Sequence, residues 1–227
     1  MCFSSEASFT ATVLLTATGI INLKLNNEKI LFPLACTPFL FALQQASEGF
    51  IWIGETHPGF PQTFAKLAML LFLSFAFLFW PVWIPFATWY AEKEKDKKFI
   101  LFMILCLGIL VSLISLAIVP KNSFRAEIVN GNLHYGISSP FAVNVQMFTI
   151  LYVLSILLPC IVSSLKGMKL FGSLVAISVA VSHFIYYETF TSVWCFFAAL
   201  ISVSLIVVIL ANGKEESEEA QNIKEKF

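Results

Sequence analysis

The sequence predicts an all-α integral membrane bundle of seven transmembrane helices, and three observations predict it. Of 227 residues, 58% are hydrophobic and only 12% charged, about half the roughly 25% charge of a soluble domain. Uncharged runs such as Phe99 to Val119 and Thr191 to Ala211 each reach the roughly 20 residues needed to cross a hydrocarbon core. The charges gather between such runs and divide the chain into apolar stretches. Fourteen basic residues balance fourteen acidic ones, so no basic face invites nucleic acid. Too little polar length is left over for a separate catalytic domain. A soluble enzyme is therefore excluded.

Taken in order, the first helix covers residues 8–23. It has no basic segment before it and no small-residue cleavage site after it, which reads as a retained helix and not a signal peptide. The second covers 30–54 and the third 64–90; Pro33, Pro38, Pro81 and Pro85 each remove a backbone donor and predict kinks there. Trp80, Trp83, Trp89 and Tyr90 crowd one end of the third helix, as aromatic rings do at a membrane interface. The fourth helix covers 99–119. A longer connection then carries Asn130-Gly131 between strand-forming residues, a strong signal for a small β-hairpin. With those two as its loop, Val129 pairs Asn132, Ile128 pairs Leu133, and Glu127 faces His134. The fifth, sixth and seventh helices cover 141–165, 169–187 and 191–211. Residues 1–211 thus form the transmembrane domain. Residues 212–227, with five glutamates from Glu215 to Glu225, form an acidic disordered tail.

Basic residues are retained on the cytoplasmic side. Eleven lysines, among them Lys29, Lys93, Lys98 and Lys169, fall on one side of this map, against Lys66, Lys121 and Arg125 on the other. That places the N-terminus outside, the C-terminus in the cytoplasm and the hairpin on the exterior.

Ionisable groups inside a membrane cost about 2.5 to 3.5 kcal/mol near a helix centre and are default functional candidates. Glu48 lies six residues before Gly54, about 9 Å below the outer end of the second helix. Gln44 and Gln45 lie beside it. His183 and Tyr187 on the sixth helix, and Trp194 and Cys195 on the seventh, map to the same outer layer. A carboxylate, an imidazole and a thiolate suit zinc or another transition metal, so Glu48, His183 and Cys195 are expected metal ligands if these helices converge. Glu188, His57 or Cys2 would supply a fourth. Gln44, Gln45, Tyr187 and Trp194 would line the polar site. No ligand pair has a metal-motif spacing, and a disulfide between Cys2 and Cys195 is a rival use of that thiol.

The opening Met1-Cys2-Phe3-Ser4, together with Gln44-Gln45-Ala46-Ser47-Glu48-Gly49 and Ser192-Val193-Trp194-Cys195-Phe196-Phe197, resembles a family of small bacterial seven-span membrane proteins of unknown function. The resemblance runs end to end. It implies a bacterial inner-membrane protein with Cys2, Glu48, Trp194 and Cys195 among its marked positions, and no activity to carry over. The acidic tail also looks like the export signal of type IV secretion effectors, which would instead place the protein in a host membrane.

The reading that follows is an outward-facing polar site that binds or passes a metal ion or small solute, with the bilayer as the other partner. A metal-dependent hydrolase acting on lipid at the outer leaflet, and a sensor, scaffold or secreted effector without turnover, are the rivals.

Overall fold

The computed structural model describes residues 4–118, 125–136 and 145–213. Seven long helices are seen among them: α1 (Ser5–Leu25), α2 (Phe32–Thr56), α3 (Gln62–Ala91), α4 (Lys95–Ile118), α5 (Val145–Val162), α6 (Met168–Ile185) and α7 (Tyr187–Gly213). A hairpin of β1 (Arg125–Val129) and β2 (Asn132–Gly136) stands between α4 and α5. All but α5 are long and apolar enough to cross a membrane. The protein is a multi-pass membrane protein. The acidic tail beyond residue 213, and Cys2, lie outside the described residues.

Helix boundaries depart from the hydrophobic runs where polar groups decide them. α1 starts earlier than expected because Ser4 caps it, accepting from the Ala7 amide at 3.3 Å, a bond the first turn would otherwise lack. α4 starts at Lys95, its first turn carrying Asp96, since a helix continues past its apolar run into the polar layer. α5 stops at Val162, three residues short of its expected end, where Ser163 and Ser164 turn to Glu92.

The prolines of α3 explain its shape. A π-helical turn at Phe75–Phe79 precedes Trp80-Pro81, because Pro81 has no N–H for the turn before it and its ring crowds that turn. Inside a bilayer a carbonyl stranded in this way needs another donor. The Tyr152 hydroxyl of α5 donates to the Ala76 carbonyl, five residues before Pro81, and beside it the Ser112 hydroxyl of α4 donates to the Leu78 carbonyl at 2.9 Å. Pro85 likewise leaves the Pro81 carbonyl free, and Gly108 of α4 closes on it so tightly that a Cβ would lie 1.9 Å from that oxygen. Only glycine fits this contact, the small-residue approach on which membrane helices rely.

The aromatic cluster of α3 is thereby corrected. Trp80 and Trp83 do not anchor at an interface. Trp80 is buried and its indole N–H donates to Gln44 of α2 at 2.8 Å, while Trp83 donates to Thr37 at 3.1 Å. Trp89 remains near the boundary, with the Lys98 ammonium 5.4 Å from its ring centre, a cation–π contact.

The hairpin has the register read from the sequence: Val129 pairs Asn132, Ile128 pairs Leu133 and Glu127 pairs His134. Asn130 and Gly131 both take positive φ, 51° and 76°, as a type I′ turn requires. It is more than an exterior ornament. Ala126, Leu133 and Tyr135 are buried in a second apolar cluster with Ile51 and Trp52 of α2, Phe72 of α3 and Val193 of α7. The hairpin turn also grips the α6–α7 connection, where Asn130 Nδ2 donates to a Glu188 carboxylate oxygen at 3.4 Å and His134 Nδ1 meets the Glu188 carbonyl. Glu188, a candidate fourth metal ligand in the sequence, is thus a hairpin anchor.

At the opposite, lysine-rich end a buried carboxylate ties three helices. Glu92 accepts from the amides of Lys93 at 3.0 Å and Glu94 at 3.1 Å, closing the α3–α4 turn. It also accepts from the Ser163 hydroxyl at 3.2 Å, the Ser164 amide at 2.8 Å and the Ser164 hydroxyl at the end of α5. Burial raises its carboxyl pKa, but the bonds from Ser164, Glu94 and Ser163 outweigh that and hold it below the usual carboxylate range. A carboxyl depressed below its unfolded value of about 4.3 contributes fully above that value, and the contribution is lost as pH falls through the folded pKa. Thermal unfolding in detergent is expected to show a melting temperature that drops below about pH 4 in the wild type. Glu92→Gln, already weakened at neutral pH, should show a flatter acid limb; equal acid limbs would remove Glu92 from this role.

Candidate functional site

Glu48 lies in the middle of a buried polar group at the hairpin end of the bundle. It sits on α2 and is 1% exposed. One carboxylate oxygen accepts from the Ser192 hydroxyl of α7 at 2.5 Å, and the other from the Gln45 amide at 3.3 Å. The Tyr135 phenol of β2 faces the same carboxylate without a bond of regular geometry. Burial, then the nearby carboxylate, push the Tyr135 pKa well above its ordinary value, so the phenol keeps its proton. Among the described residues no cationic side chain approaches Glu48.

Why these groups meet follows from helix geometry. Gln44, Gln45 and Glu48 fall within one turn of α2, and residues three and four apart share a face. Ser192 and Cys195, three apart on α7, do the same. Trp80 stacks on Phe41 with ring centres 3.8 Å apart and planes at 17°, and its N–H holds the Gln44 carbonyl oxygen. That fixes Gln44 with its amide nitrogen facing the Cys195 thiol and bonded to nothing. The Gln45 carbonyl oxygen and the Tyr135 hydroxyl are also buried without partners. Three orphaned polar atoms around one carboxylate depart from the rule that buried polar groups are paired, and mark a place for water or a ligand.

The structure brings together Glu48, Gln44, Gln45 and Cys195 from the expected set, and places the others elsewhere. His183 and Tyr187 are exposed and pack edge-on with ring centres 5.6 Å apart; the last turn of α6 presents His183 to the surface because the buried face of that helix ends in Ser178 and Ser182, and Tyr187 opens α7. Trp194 turns to Tyr152 of α5, 5.4 Å between ring centres. Among the described residues no three of His, Cys, Asp and Glu gather as metal ligands. His183 is exposed whereas Glu48 and Cys195 are buried, so the structure does not bring the imidazole to the carboxylate and the thiol. Cys195 is a free, buried thiol.

Tyr135, Ser192 and Trp80 are site residues the sequence reading passed over. For Tyr135 a signal existed: Leu133 and Tyr135 alternate on one strand face, the pattern of a strand with one buried side. Trp80 gave none, because an interfacial and an interior tryptophan look alike in sequence.

A model of the family of unknown function DUF6629 matches residues 1–221, and the chain belongs to that family. No curated protein and no solved structure matches it.

The Trp80–Gln44 bond gives a direct test of the scaffold. Trp80→Phe keeps a ring on Phe41 but leaves the buried Gln44 carbonyl unpaired, which should cost about 1 to 3 kcal/mol. Denaturant unfolding in detergent would read this as a lowered midpoint; an unchanged midpoint would mean that Gln44 finds another donor.

Proposed function

We propose that this protein is a membrane-embedded binder of a small cationic solute, held at Glu48 and reached from the hairpin end. The observation that carries the reading is a carboxylate in the bilayer with only neutral donors around it. Such a group must be neutralised by a proton or by a bound cation, because an unpaired charge there is expensive. The orphaned atoms define the complement. Glu48 and the Gln45 carbonyl oxygen seek donors, whereas the Gln44 amide seeks an acceptor. A primary ammonium on a small polar molecule matches this set better than a soft metal ion, whose preferred imidazole ligand is remote. Oxygen-rich surroundings also suit a hard monovalent cation.

Glu48 has almost no exposure, so exchange with the aqueous phase requires the hairpin to move off the outer ends of α2, α3 and α7. The lysine distribution supports an exterior position for that end in a bacterial inner membrane. Among the described residues the orphaned atoms around Glu48 lie at the hairpin end. Entry and exit from one side therefore fit the chain better than a continuous path.

The test is thermal stability of purified protein against sodium, potassium, ammonium, ethanolamine and putrescine. A ligand at 100 times its Kd stabilises by about 2.7 kcal/mol, so a specific cation should raise the melting temperature of the wild type. Glu48→Gln keeps the volume and hydrogen-bonding capacity and should abolish that rise while remaining folded. A rise that persists in Glu48→Gln, or no rise with any of the five, would overturn the assignment.

A further inference from the structure

Two carboxylates stand in a column on α2. Glu55 follows Glu48 by seven residues, almost two helical turns and about 10 Å of rise, which returns it to the same face. Glu48 is buried, whereas Glu55 is exposed at the hairpin end. Between them on that face lie Ile51 and Trp52, both buried and packed in one cluster with Leu133 and Tyr135 of the hairpin and Phe72 of α3. An outer acid, an apolar plug and an inner acid thus follow one another along one helix.

Tyr135 links the two acids. Its ring stacks on Phe72 with centres 5.1 Å apart. Its hydroxyl, buried and without a regular partner, faces Glu48, and the charges of both Glu48 and Glu55 reach that phenol. A phenol can donate to a carboxylate and accept from an ammonium, so it can hold a cation on its way between the two.

The hairpin is also fastened unevenly. Its turn and β2 hold the α6–α7 connection through Asn130 and His134. Toward α2, by contrast, the Glu127 carboxylate of β1 comes within electrostatic reach of Glu55, and like charges repel. The seam between β1 and α2 is therefore the weaker side of the hairpin, and its negative charge draws cations to it.

We propose that Glu55 is the outer station of the Glu48 site, where a small ammonium is captured before it passes Tyr135 as the hairpin lifts from α2. The proposal rests on the reading of Glu48 as a cation-binding group. Ile51 and Trp52 close the way while the hairpin is seated, and Glu188 keeps the other side attached while it opens.

Cys195, a free buried thiol beside Glu48, reports arrival at the inner acid. The full chain in nanodiscs would be treated with 2-aminoethyl methanethiosulfonate, a small ammonium, and with neutral methyl methanethiosulfonate, and the mass of the Cys195 peptide followed with time. Relative to their rates with free cysteine, the ammonium reagent should label the wild type faster. Glu55→Gln should slow it by about ten-fold, the lower end of electrostatic steering, and leave the neutral reagent unchanged. Tyr135→Phe should also slow the ammonium reagent selectively. Glu6→Gln, at the exposed start of α1, should alter neither rate. An unfolded variant would label fast with both reagents. A Cys195 that neither reagent reaches, an ammonium rate that Glu55→Gln leaves unchanged, or an equal loss in Glu6→Gln would overturn the proposal. The readout is arrival and not stabilisation: these rates with no thermal shift would sink the binding reading alone, and a thermal shift with no effect of Glu55→Gln would sink the route alone.

Discussion

Inside a bilayer a polar group has no water to turn to, and each N–H, carbonyl or carboxylate left bare there costs several kcal/mol. Much of this structure is the working out of that constraint. Pro81 and Pro85 strip donors from α3, and the consequence spreads outward: a π-helical turn, a tyrosine from α5 donating to one freed carbonyl, and a glycine of α4 drawn against another. The three helices are locked by repairs to one helix's backbone. At the lysine-rich end Glu92 solves the same problem for a turn and a helix terminus with five hydrogen bonds to one carboxylate.

Against this background Glu48 differs from Glu92. It has two donors and three neighbouring orphan atoms, one of them the Tyr135 phenol, whereas Glu92, equally buried, accepts five bonds. The two acids are buried alike and paired differently within a single chain. One is saturated by the protein; the other is left partly open, and in a membrane that opening is retained at a cost.

The fold was legible because hydrophobic length and the Asn130-Gly131 turn are local signals. The hairpin register, fixed by a two-residue loop, came through pair by pair. Site membership was legible only along one helix face, as for Gln44, Gln45 and Glu48, and for the expectation that Cys195 would face them. Depth alone could not give the azimuth of His183, which is set by Ser178 and Ser182 packing inward. The role of Tyr135 depends on the hairpin folding into the bundle mouth, a tertiary event. Trp80 looked interfacial because its partner, Gln44, is 36 residues away.

The central claim is that Glu48 exchanges a proton for a cationic ligand. Infrared difference spectroscopy of the reconstituted protein, with and without the cation that stabilises it, reads that event directly. The account predicts a protonated carboxyl band that disappears on binding and is missing altogether from Glu48→Gln. A wild-type spectrum in which ligand leaves every carboxyl band unchanged would contradict it.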